Sequence, residues 1–175
     1  MNIFYLNHDP LQCAQDHCDK HVVKMIIEYA QLMSTAHRML DGTEYEGRTK
    51  NNRKIRRWKM SLDYLEDTLY KASHVNHPSA IWVRESKENY LWLHSMWIQL
   101  CMEYTIRYGK IHETFKKLAT TLMYAPVNIP DGKFTPPPPA MPDKCKIKGN
   151  SIASYRKYYI VEKKSFAKWK NAITP

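Results

Sequence analysis

The chain has 175 residues, with 27 Lys and Arg against 17 Asp and Glu, a formal charge of +10. At that length one domain burying roughly 70% of its unfolded surface is expected, and 43% hydrophobic content with 12% aromatics excludes wholesale disorder. The opening MNIFYLNHDP lacks the basic start and apolar run of a secretory signal, and no stretch approaches the roughly 18 apolar residues of a membrane span.

In chain order, residues 2–6 read as a short extended lead-in. Asp9-Pro10 is a helix start, because proline at the first turn gives up an amide that has no helical partner. The helical pattern then runs to about Leu40 and stops at Asp41-Gly42. Residues 41–57 read as a polar basic loop. A second helix is expected over about 58–73, apolar at Leu62, Leu65 and Leu69, and ends before His77-Pro78. Helical periodicity resumes from Ser79 to about Lys117, with a break at Gly109. Seven of the ten prolines fall between 126 and 142, so residues 125–143 read as an extended connector. An amphipathic helix over 151–171 closes the chain. No strand alternation is visible, and the class is all-α, a single-domain helical bundle. Cys13, Cys18, Cys101 and Cys145 form no CxxC pair and read as reduced, buried thiols of a cytoplasmic protein.

The positive charge is concentrated. Residues 48–59 hold Arg48, Lys50, Arg53, Lys54, Arg56, Arg57 and Lys59 with no acid; residues 144–170 hold nine cations and one acid; the remainder is net −5. Each basic segment carries aromatics, Trp58 in the first and Tyr155, Tyr158, Tyr159, Phe166 and Trp169 in the second. Cations neutralise phosphates and flat rings stack on unpaired bases, so Arg48, Arg53, Lys54, Arg56, Arg57, Trp58, Arg156 and Lys157 are candidate nucleic-acid contacts. Burial of the rings against the core would explain the C-terminal aromatics equally well.

Two helices carry narrow polar stripes. In HCDKHVVKMIIEYAQLMSTAH, the residues His17, His21, Lys24, Glu28, Gln31 and Thr35 share an arc of roughly 80°, flanked by broad apolar faces. Such a stripe suits a lined cleft; the plainer reading is a Lys24–Glu28 salt bridge on a solvent face. Farther on, Glu85, Asn89, Glu103 and Arg107 share an arc with Trp92, and Arg84 adjoins it. Two facing stripes would enclose a pocket able to hold a base, unless Glu103 and Arg107 form a structural ion pair. His17 and His21 have the spacing of zincin ligands, but Cys18 stands where that chemistry needs a general-base Glu, so no metal and no cofactor is expected. No Walker loop, GxGxxG or GxSxG occurs.

Through HCDKHVVKMIIEYAQL, HPSAIWVRES, EYTIRYGK and YRKYYI the sequence resembles a family of small phage-encoded proteins. More distantly, its layout is similar to the phage pyrimidine-dimer DNA glycosylases of the endonuclease V type. That resemblance implies a compact all-α monomer acting on DNA in a host cytoplasm, in which an N-terminal amine attacks C1′ of a damaged nucleotide and a helix carboxylate assists. An α-amine suits the task, with an ordinary pKa of roughly 7.7–8.0 against about 10.4 for lysine. Bulky Asn2 favours retention of Met1, and Lys24 stands at the position of the carboxylate with Glu28 one turn on. Met1 or Lys24 is then the candidate nucleophile, with Glu28, His21 and His17 as acid and base. The competing readings are a base-modifying or nucleotide-processing enzyme and a non-catalytic DNA-binding protein.

Overall fold

The computed structural model describes residues 1–170. Helices dominate, but a small antiparallel sheet makes the chain not purely α. The N-terminal residues 3–6 form no regular element, with a tight turn from the Leu6 amide to Phe4 O, and are buried. They lead into α1 (Pro10–Gln15), whose N-cap Asp9 accepts from the Gln12 amide at 2.8 Å.

The expected continuous helix from Pro10 to Leu40 is broken at residues 16–18, and α2 (Asp19–Asp41) begins anew. The break has a side-chain cause. The His17 ring occupies the Cys13 carbonyl through Nδ1 at 2.7 Å, the acceptor that the His17 amide would use in an unbroken helix. Carbonyls freed by the break are then met by the fully buried Arg107, which donates to Gln15 O at 2.9 Å and His17 O at 2.8 Å.

Residues 41–57, expected as a loop, instead form most of a hairpin of β1 (Thr43–Arg48) and β2 (Lys54–Lys59), with Glu44 opposite Trp58 and Glu46 opposite Arg56. Asn52, at φ 58°, supplies the left-handed turn residue. The second helix shrinks to α3 (Asp63–Thr68), since residues 54–59 belong to the strand and the carbonyls of Leu69 and Tyr70 turn to Arg38. Arg38, 2% exposed, also holds Trp58 O, Glu66 O and the Glu66 carboxylate, tying the foot of the hairpin to α2.

After α4 (Pro78–Glu85), Ser86 interrupts the expected long helix. Its extended backbone and Oγ cap α5 (Lys87–Tyr108) at the Asn89 amide. Gly109 ends α5 in the left-handed conformation, φ 68°, as its position suggested. α6 (Glu113–Leu122) precedes the proline-rich connector, and α7 (Ser151–Tyr158) is shorter than expected. It passes into one π turn over Tyr159–Lys163. Residue 171, the expected end of that helix, lies outside the described residues. The core runs from Ile3 and Phe4 through α2, Tyr90, Trp97 and Leu100 to Tyr155 and Tyr159. All four cysteines are buried free thiols. Among the described residues no helix is long and apolar enough to cross a membrane.

Candidate amine–carboxylate site and basic surface

The polar stripe of α2 is closed at both ends and open in the middle. At its N-terminal end His17 is fully buried, with Nδ1 on Cys13 O and Nε2 accepting from the Tyr29 hydroxyl at 2.8 Å. Burial holds its pKa down to about 4, against the opposing pull of the Cys13 carbonyl. His21 is covered by Phe4, stacked at 4.1 Å between centroids, and by Tyr159, whose hydroxyl bonds its Nδ1. Desolvation first, then the charge of His17 and of Lys163 and Lys24, brings its pKa to about 3. His17 therefore has both ring nitrogens bonded, whereas His21 keeps Nε2 without a partner among the described residues and not sealed from solvent, beneath the C-terminal segment. At the other end, Thr35 Oγ1 exchanges hydrogen bonds with Ser73, and Arg38 is consumed as described.

Between these ends stand Lys24, Glu28 and the partly buried Gln31. The N-terminal residues lie back against α2, where the Phe4 amide donates to the Tyr29 hydroxyl at 3.1 Å. That anchor brings the Met1 α-ammonium to 3.5 Å from Glu28 Oε2, while Lys24 Nζ lies 3.2 Å from Oε1. One carboxylate is therefore set between two amines of different kind. Lys24 is 70% exposed and Glu28 16%, so the pair opens to solvent.

Two residues that the sequence reasoning missed adjoin this centre. His77 caps α4, its Nδ1 accepting from the Ser79 amide at 3.1 Å. Its pKa is lowered, first by desolvation and then by the Met1 ammonium and His74, with Glu28 opposing. His77 is thus neutral at neutral pH, with its proton on Nε2. His74 sits in a left-handed conformation, φ 50°. The only signal for His77 was the His-Pro helix start, and His74 had none.

The second stripe does not join the first across a cleft. Glu103 and Arg107 are paired at 2.8 Å within α5, and Arg107 reaches Asp19 at 3.0 Å to staple the α1–α2 break. Asn89 bonds Trp82 O and both the amide and hydroxyl of Thr135, pinning the connector. Trp92 donates to His8 O, Arg84 to Ala80 O, and Glu85 is exposed. None of these side chains bonds Met1, Lys24 or Glu28 among the described residues.

The hairpin extends from the end of α2, about 20 Å along the helix axis from Glu28. Its charge is graded. Glu44 and Glu46, just outside the acid-free stretch read from the sequence, pair with Arg56 at 3.7 Å and Lys54 at 3.1 Å. Arg48, Lys50 and Arg53 at the tip make no ion pair among the described residues, whereas Arg57 turns inward to Ala72 O. Trp58 is only 6% exposed, buried at the hairpin foot under Arg56, and so has no free face for a base. Tyr45, 48% exposed on the opposite face, presents the open ring instead. In the C-terminal segment, Lys157 is exposed and Arg156 Nε donates to Leu6 O at 2.8 Å. Tyr155 and Tyr159 are buried.

Among the described residues, no group of three or more His, Cys, Asp or Glu is placed to hold a metal. No family model matches the chain, and neither a curated protein nor a solved structure matches it at a significant level.

Proposed function

We propose that this protein is a DNA-directed glycosylase and abasic-site lyase of the pyrimidine-dimer type, working through an amine nucleophile beside a helix carboxylate. The observation that carries the reading is the convergence of the Met1 amine and Lys24 on the two oxygens of Glu28. Glu28 holds the α-ammonium and takes its proton. The free amine then attacks C1′, and the bond to the base breaks with its electron pair leaving on the base, which is protonated as it departs. Opening of the sugar ring gives an imine; loss of a C2′ proton then expels the 3′ phosphate. On a preformed abasic aldehyde the same amine condenses directly and releases water.

The α-amine of Met1 is the better nucleophile of the two, because ordinary α-amines titrate roughly 2.5 pH units below ordinary lysines. Lys24, mostly in water, is suited to a backbone phosphate. The tip cations of the hairpin, which starts where α2 ends about 20 Å along the helix axis from Glu28, would hold the flanking DNA. In a non-catalytic DNA-binding reading, the same ion pair merely anchors the chain terminus.

Borohydride treatment of the protein with abasic or ultraviolet-irradiated duplex separates the two. The enzyme reading expects a covalent protein–DNA adduct that requires Glu28. Absence of any adduct, with DNA binding intact, would leave only the binding protein.

A further inference from the structure

A cavity of about 660 Å³ opens between α1 and the C-terminal segment, within the roughly 300–1,000 Å³ of small-molecule sites. None of Met1, Lys24, Glu28 or His77 lines it. One wall carries Asp16, 5% exposed, whose Oδ1 accepts from Gln12 Nε2 at 2.8 Å. Its Oδ2 accepts no hydrogen bond and it makes no ion pair among the described residues. Oδ2 is not sealed from solvent and is left facing the cavity as a free acceptor, and partial burial raises the pKa of Asp16, with the Gln12 bond and the Arg156 charge opposing. Facing it are apolar surfaces, Ile160 and the indole of Trp169, which is fixed by its Nε1 bond to Asp16 O at 3.1 Å. At the rim stand Arg156, whose Nε is used by Leu6 O while its terminal nitrogens have no partner among the described residues, and exposed Lys164.

From this arrangement we infer that the cavity binds a guanine nucleotide, with the base edge on Asp16, the ring against Trp169 and the phosphate on Arg156 and Lys164. Guanine is the common base that presents two adjacent N–H donors, N1–H and the N2 amine, matching both oxygens of one carboxylate. Adenine and cytosine pair a donor with an acceptor there, and uracil has a single donor between two acceptors; each sets a lone pair against Asp16. The site stands apart from the amine centre, so it survives or fails independently of the glycosylase reading. The nucleotide could be free or part of a single strand, and the chemistry is the same.

Calorimetric titration of the full chain with GMP, IMP, AMP, CMP and inorganic phosphate tests the inference. The expected result is binding of GMP about tenfold or more tighter than IMP, which lacks the N2 amine, and than AMP or CMP, because a buried acceptor left unpaired penalises the wrong base. Asp16→Asn should remove most of that preference. Arg156→Gln should weaken GMP about tenfold while leaving guanosine nearly unchanged, as expected of a charge-assisted phosphate contact. Comparison of GMP with a pentanucleotide containing one guanine assigns the source, the tighter ligand being the natural form. No binding at millimolar GMP, or equal affinity for all four nucleotides in the unaltered protein, would overturn the inference. That comparison needs no variant and so does not depend on how the substitutions fold.

Discussion

The sealed ends and the open middle of the α2 stripe use the same residue types for opposite purposes. At the ends, His17, Arg38 and Arg107 are buried and every side-chain nitrogen of the three has a partner. In the middle, Glu28 is shared by two amines and left accessible. Buried, fully bonded groups fix the fold; a partly exposed carboxylate with two exchangeable partners is free to take part in chemistry. The contrast teaches that residue type along a helix face says little about role until the elements packed against each turn are known.

The comparison is broken most sharply at Glu28. Glu28→Gln should lower the rate of borohydride-trapped adduct formation by about 10²–10⁴, the usual worth of a positioned acid or base, while urea unfolding changes little. Arg107→Met should do the reverse. It strands Glu103 and the Gln15 and His17 carbonyls, at a cost of about 3–5 kcal/mol seen in the urea midpoint, with adduct yield per folded molecule retained. If Arg107→Met proved as stable as the parent, the sealed end would not hold the α1–α2 break as described.

Acid should act on the same end. The folded pKa values of His17 and His21, about 4 and about 3, lie below the unfolded value near 6.5. The unfolded chain therefore binds protons first. Stability from the neutral rings is complete above pH 6.5, declines as pH falls below it, and is lost by about pH 3 to 4, amounting to a few kcal/mol. Denaturant midpoints measured against pH should show that slope, and His17→Gln should flatten it.

Smaller effects sharpen the account of the surface. Replacing Arg48, Lys50 and Arg53 together by Ala should reduce the slope of log affinity against log salt by roughly 2 to 3, leaving the trapping rate at saturating DNA unchanged. Lys54→Ala, which removes a cation already neutralised by Glu46, should alter the slope less than Lys50→Ala. Smallest of all, Lys24→Ala should shift stability by about 1 kcal/mol or less, as for other exposed pairs, and the adduct should persist.

Much of the helical frame was legible in the sequence. Pro10 and Gly109 mark a start and a stop by backbone chemistry local to those residues, and the structure uses both. The break at residues 16–18 was not legible, because the group that satisfies its freed carbonyls, Arg107, lies some ninety residues away in the chain. Treating α1 and α2 as one helix placed His17 on the stripe with Lys24 and Glu28. The hairpin was missed because TEYEGR and KIRRWK show no clean alternation of apolar and polar residues; it is held by its backbone ladder, by burial of Trp58 at its foot and by Arg38 beneath, and the exposed cross-strand Glu–Arg and Glu–Lys pairs add little. Of the candidate site, Lys24 and Glu28 followed from the narrow polar stripe along the helix, and Met1 from the resemblance to enzymes with an N-terminal nucleophile. His77 was read only as a helix boundary, since nothing in its local sequence shows that the chain terminus folds back beside it.

Peptide mapping of the borohydride-reduced adduct with an abasic duplex tests the central claim most directly, because it identifies the nitrogen that carried the sugar. The account predicts the modification on the α-amine of the peptide containing Met1, retained in Lys24→Ala and lost in Glu28→Gln. Modification of a hairpin or C-terminal lysine that persists in Glu28→Gln, or no modification at all, would contradict it.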